Sequence, residues 1–182
     1  NYAQARFYYR KASHLNQEDA KLLYKVACTY MNEENWQQAI KYLEQALQLG
    51  RTQPEFNLAM GNCYMKLGKM KDAVHYFTTV VQYRPRNVAG WESLIRCLYS
   101  SGLYEEAGIQ IKIAASKTGD KPLFHYYKAA IALAIGKIKD GLLLLEEALG
   151  KNPKLLKKFI ELNPVILQDQ QVVDVIARAK RK

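Results

Sequence analysis

Shifting this sequence by 34 residues lays Ala39 on Ala73, Ala107 and Gly141, and Leu43 on Phe77, Ile111 and Leu145. The same shift lays Ala46 on Val80, Ala114 and Ala148, Tyr30 on Tyr64 and Leu98, and Pro85 on Pro153. Four copies run from Ala20 to Leu155 with no insertion or deletion between them. A fixed period of this length restricts the chain to stacked supersecondary units. Each unit is too small to bury its apolar side alone and buries it against its neighbours instead.

Within each copy the apolar spacing follows a helix, breaks, and resumes as a helix. Phe56, Met60, Tyr64 and Leu67 step by three or four residues along one stripe, and Met70, Ala73, Val74, Phe77 and Val80 form the next. Gly68, Gly102 and Gly136 mark the break, while Glu34–Asn35 fills it in the first copy. Helices are expected near 20–32, 36–49, 54–67, 70–83, 88–101, 104–117, 121–135 and 138–150. Thr52-Gln53-Pro54-Glu55 reads as a capping box with proline in the first turn, and Asp120 before Pro122 and Asn152 before Pro153 read as further helix starts.

Small residues recur where two helices must approach closely. Ala27, Gly61 and Ala129 on the first helices face Ala39, Ala73 and Gly141 on the second. Ile95 breaks that column, and Gly108 beside Ala107 is expected to make room for it. Lys128 stands where an apolar residue is expected, its methylene stem covering the surface instead.

These columns resemble the tetratricopeptide repeat. The chain carries Trp91-x-x-Leu94, Met60-Gly61-x-x-Tyr64, Ala73-x-x-x-Phe77 and Ala39-x-x-x-Leu43-x-x-Ala46, and the resemblance covers residues 20–155. It implies an all-α fold, an α-α superhelix of stacked antiparallel helix hairpins. The repeats fall at 20–53, 54–87, 88–121 and 122–155. Arg51 and Gly119 depart from the final proline, which bears on those turns alone.

Both ends extend the register or break it. Tyr2-x-x-Ala5-x-x-x-Tyr9-x-x-Ala12-x-x-Leu15 fits the second helix of a copy, so residues 1–19 are expected to be a truncated repeat. On that expectation the chain is the C-terminal part of a longer array, with self-association possible through exposed Tyr2 and Tyr9. After Pro153 the pattern changes. Leu155, Leu156, Phe159 and Ile160 form one stripe and Val172, Val173 and Ile176 another, so residues 156–182 are expected to form capping helices with a basic tail.

The formal net charge is +10, with basic residues gathered at Lys66, Lys69 and Lys71, at Arg84 and Arg86, and from Lys151 to Lys182. Such an excess suits nucleic acid or an anionic surface, the alternative to protein binding. The apolar runs 129–135 and 142–145 are too short to span a membrane. The three cysteines have no metal-ligand spacing and read as small core residues, which fits a reducing, cytoplasmic setting. His14, His75 and His125 are scattered over separate copies, Glu105–Glu106 and Glu146–Glu147 lie on solvated faces, and the glycines are singletons. No catalytic constellation, cofactor loop or metal site is expected.

The resemblance also implies protein or peptide recognition in a concave groove lined by the first helices. Mapped onto this sequence, the groove carries Lys21, Tyr24, Cys28, Met31, Glu55, Leu58, Asn62, Met65, Glu92, Arg96, Tyr99, Leu123, Tyr126, Ala130 and Leu133. Met31, Met65, Tyr99 and Leu133 are 34 apart, an apolar row suited to adaptable binding. The family's carboxylate clamp needs Lys and Asn one turn apart, then Asn, then Lys with Arg. The chain offers Tyr24 with Cys28, Ala59, and Ala89 with Ser93, or, one copy later, Leu58 with Asn62, Ser93, and Leu123 with Tyr127; only Asn62 fits, so no clamp is expected. The expectation is a non-catalytic interaction scaffold, with a regulatory array of a larger enzyme or sensor as a further alternative.

Overall fold

A computed structural model describes residues 2–15 and 19–181. The side chains of Ala12, His14, Leu15 and Lys180–Lys182, on which some of the expectations above rest, lie outside the described residues. Eleven α-helices follow one another among the described residues: α1 (Tyr2–Leu15), α2 (Ala20–Asn32), α3 (Trp36–Leu49), α4 (Pro54–Lys66), α5 (Met70–Tyr83) and α6 (Val88–Ser100), then α7 (Tyr104–Thr118), α8 (Pro122–Ala134), α9 (Ile138–Lys151), α10 (Leu156–Leu162) and α11 (Gln170–Arg181). Short 3-10 turns at Pro153–Leu155 and Pro164–Gln168 flank α10. Starts of α4, α6, α8 and α10 are 34 residues apart, as are those of α1, α3, α5, α7 and α9. The period therefore persists in the backbone beyond Pro153, where the side-chain pattern loses it. Helix α10 starts in register but ends after seven residues.

Each hairpin closes through the same bonds. The amides of Asn35, Lys69, Leu103 and Lys137 donate to the carbonyls of Tyr30, Tyr64, Leu98 and Ala132 at 2.9–3.0 Å. That closure needs a left-handed residue one position earlier. Gly68, Gly102 and Gly136 supply it with φ of 73°, 74° and 79°, and Glu34 adopts φ 57° in the first copy.

The chain divides into two compact units, residues 1–97 and 98–182, with the division inside α6. In the first unit, Ala27, Ala39, Leu43, Met60 and Cys63 are fully buried between the hairpins. A Cβ added to Gly61 would sit 2.4 Å from the Phe77 ring, so glycine is what lets that ring lie against α4. In the second unit Tyr126, Ala129, Leu145, Ala148, Phe159 and Val172 form the core. There Gly141 meets Leu133, whose Cγ lies 2.6 Å from the Cβ position. By contrast, a Cβ on Gly108 would meet open space, so Gly108 does not serve the packing role expected for it beside Ile95.

Two helix starts differ from expectation. Pro54 occupies the first turn of α4, which moves the cap from Thr52 to Gln53, and Gln53 makes no side-chain cap bond. Likewise α8 is preceded by Lys121 rather than Asp120, whose carboxylate turns to His125 instead. Asn152 behaves as expected, its side chain accepting from the Lys154 amide at 3.1 Å.

Candidate functional site

One column of the first helices explains how the loops between repeats are held. Leu23, Asn57, Trp91 and His125 are 34 apart and all buried. Asn57 Nδ2 donates to the carbonyls of Arg51 and Gln53 at 2.8 and 2.9 Å. Trp91 Nε1 donates to the Pro85 carbonyl at 2.8 Å, which is the equivalent bond one repeat later. His125 Nε2 lies 2.7 Å from Asp120 Oδ2, and Lys151 Nζ approaches the same ring nitrogen at 2.7 Å. Three side chains of different chemistry thus reach back into the preceding loop. The sequence signal was present, a buried column with polar members beside the two loops that lack proline, but it was legible only once the loop carbonyls had positions.

The hydrogen bond to His125 holds the Asp120 carboxyl below the usual carboxylate range, with Lys128 and Lys151 contributing. This cluster is structural in its geometry, since every member closes the α7–α8 loop or the end of α9. Elsewhere the reactive groups are suppressed. Burial pushes the Cys63 thiol up to about 12 and raises Cys28 and Cys97, so all three remain protonated at neutral pH. Among the described residues no group of three or more His, Cys, Asp or Glu is placed to hold a metal ion.

The face formed by the first helices divides by exposure. On α2, α4 and α6, Tyr24, Cys28, Met31, Leu58, Asn62, Met65, Glu92 and Arg96 are all half-buried, and Lys21 and Glu55 are exposed. Tyr24 tilts toward Phe56 with ring centroids 5.2 Å apart. Burial and a hydrogen bond to Cys28 push its hydroxyl up to about 12, so it is a neutral donor. Beside it a cleft of about 870 Å³ opens among Lys21, Tyr24, Lys25, Gln53, Glu55 and Phe56.

In the second unit the same columns are covered, which corrects the expectation for Tyr99 and Tyr126. Tyr126 has no exposed surface and Tyr99 is 6% exposed; Leu123 and Ala130 are buried with them. The cause is the segment after Pro153. Phe159 packs toward the Tyr126 ring with centroids 6.0 Å apart, and the Tyr126 hydroxyl donates to the Asn152 carbonyl at 2.9 Å. Asn163 Nδ2 points to the Tyr99 hydroxyl at 3.5 Å, and Ile166 joins the same cluster. Leu133 stays half-buried, but its side chain lies against Gly141 rather than along an open face. A non-periodic segment does this covering, so no column of the repeat announces it.

No helix among the described residues is long and apolar enough to cross a membrane. Sequence models of the tetratricopeptide repeat match residues 30–75 and 58–122, together half of the chain. The TPR repeat-containing protein YpiA of Bacillus subtilis (strain 168) is 26% identical over 154 residues. That match takes in 80% of this chain, and the chain spans 35% of the relative's length. Among solved structures, YrrB, a TPR protein with an unusual peptide-binding site, superposes with a TM-score of 0.68 at 20% identity, covering 100% of this chain and 84% of that one. MamA gives a TM-score of 0.75 at 17% identity, covering 86% and 91%. A third, the thermophilic TPR protein TTC0263 of Thermus thermophilus, gives 0.66 at 18% identity, covering 91% of each chain. Register, hairpin closure, family match and shared solenoid fold agree: the chain belongs to the tetratricopeptide repeat family.

Proposed function

We propose that this chain is a non-catalytic protein–protein interaction scaffold. It binds a peptide or helical segment on the open first-helix face of residues 1–97, without a carboxylate clamp. The observation that carries this reading is the contrast in exposure between equivalent columns. Tyr24, Cys28, Met31, Leu58, Asn62 and Met65 leave part of their surface open, while Tyr99, Tyr126 and Ala130 are sealed by the chain itself. Half-buried Met, Tyr and Leu at fixed spacing offer adaptable apolar contact, and Asn62 and the Tyr24 hydroxyl add polar orientation. The likeness to YrrB, a peptide-binding protein of the same fold, supports the reading. In keeping with a non-catalytic role, burial keeps the Cys63 thiol protonated and His125 is engaged with Asp120 in a loop anchor.

The test is selection of peptide ligands from a random display library, followed by affinity measurement on face variants. Tyr24→Ala and Leu58→Ala are each expected to weaken the selected ligands by about tenfold, the loss typical of a buried interface contact. His75→Ala, on the exposed side of α5, is the control and should leave affinity unchanged. Ligands that lose affinity with His75→Ala and not with Tyr24→Ala or Leu58→Ala contradict the reading.

A further inference from the structure

The molecule displays, on its own second unit, what a first-helix face accepts. There the covering segment runs through Pro153–Leu155, α10 and the turn Pro164–Gln168. It presents a helical apolar stripe whose central member, Phe159, is fully buried against Tyr126. Polar contacts at its edges, from Asn152 and Asn163, meet tyrosine hydroxyls. The open face repeats these columns one to three repeats earlier, at offsets of 34, 68 or 102 residues: Tyr24 and Leu58 for Tyr126, Cys28 and Asn62 for Ala130, Met31 and Met65 for Tyr99 and Leu133. One position carries a charge that its counterpart in the covered half lacks. Arg96, in the column of Asn62 and Ala130, is half-buried and forms no ion pair among the described residues. A guanidinium partly withdrawn from water and without a carboxylate gains from an acidic partner, and the net charge of +10 steers such a partner in.

We infer that the open face takes a short amphipathic helical segment from another protein. Its apolar stripe, with one aromatic residue, packs on Leu58, Met31 and Met65, and an acidic side chain on it pairs with Arg96. The inference rests on the proposed binding role of this face and adds the chemistry of what it binds. The acid in question is an internal side chain, so a free C-terminal carboxylate is not required. The covering segment of the second unit differs in this respect, since it carries Lys154, Lys157 and Lys158 and faces no arginine equivalent, Ala130 standing in that column.

The experiment uses the whole chain and three synthetic 14-residue helical peptides, all acetylated and amidated. Each carries the same leucine stripe with one phenylalanine and differs at one stripe-flanking position, which is Glu, Gln or Lys. Fluorescence anisotropy on the wild type is expected to rank them Glu, Gln, Lys, with about tenfold between the first two, the scale of a charge-assisted pair. Arg96→Gln should abolish the Glu preference, and Arg96→Glu should invert it to favour Lys, with circular dichroism confirming intact helices. Equal affinity for Glu and Gln peptides that remains sensitive to Tyr24→Ala overturns the acidic pairing and leaves the binding face standing. Absence of binding by all three peptides overturns the helical apolar class itself. If library-selected ligands still depend on Tyr24 and Leu58, the proposed function survives that outcome; if they do not, both fall.

Discussion

At the residue scale, glycines that look alike in the sequence separate by what surrounds them. Gly61 has the Phe77 ring where a methyl would go, whereas Gly108 in α7 faces open space. Gly61→Ala is expected to destabilise the chain by about 1–3 kcal/mol through overpacking. Gly108→Ala is expected to stabilise it by about 0.5–1 kcal/mol, because alanine loses less backbone entropy in a helix. Urea-unfolding midpoints of the two variants should therefore move in opposite directions. Asp120 gives a second residue-scale outcome. Its carboxyl is held low in the folded state, so its stabilising effect is full above the ordinary carboxylate value and is lost as pH falls through the lowered one. Asp120→Asn should flatten the acid limb of the stability profile below about pH 4, where the ordinary carboxylate titrates, with little change in the slope at neutral pH. A chemical-denaturation series across that range checks it; an acid limb identical to the wild type's would remove the His125 bond as its cause.

At the element scale, the periodic columns made the helices legible and left their partners illegible. The apolar spacing of Met70, Ala73, Phe77 and Val80 places α5, and Gly68 with Gly102 and Gly136 places the hairpin turns. Those features are local, so three or four neighbouring residues suffice to read them. The Asn57, Trp91 and His125 anchors are hidden from such a reading because each depends on where a loop carbonyl or carboxylate lies four to six residues away. The burial of Tyr99 and Tyr126 is hidden for a related reason. It is produced by Phe159, Asn163 and Ile166, which belong to the stretch where the side-chain register lapses. Phe159 is the element's anchor, with no exposed surface of its own. Phe159→Ala should cost about 3–5 kcal/mol, the usual range for a buried aromatic. It should also raise amide exchange in α8 and α10 while α2–α5 keep wild-type protection; hydrogen exchange followed by mass spectrometry reads both.

At the scale of the whole molecule, the repeat columns supply packing and leave specificity to positions between them. The groove columns change residue from copy to copy, as with Tyr24, Leu58, Glu92 and Tyr126. Part of that variation is spent within the chain, where the C-terminal segment seals the first-helix columns of residues 98–182. What remains open lies on α2, α4 and α6 as far as Arg96, and it combines half-buried apolar side chains with the guanidinium of Arg96. Binding on this face is the central claim. Hydrogen exchange of the whole chain, with and without a saturating selected peptide, tests it most directly. Added protection is expected in α2 and α4 and at Glu92–Arg96, with α10, α11 and the exposed side of α5 unchanged. Protection confined to α10 and α11, or to the outer helices, would contradict it.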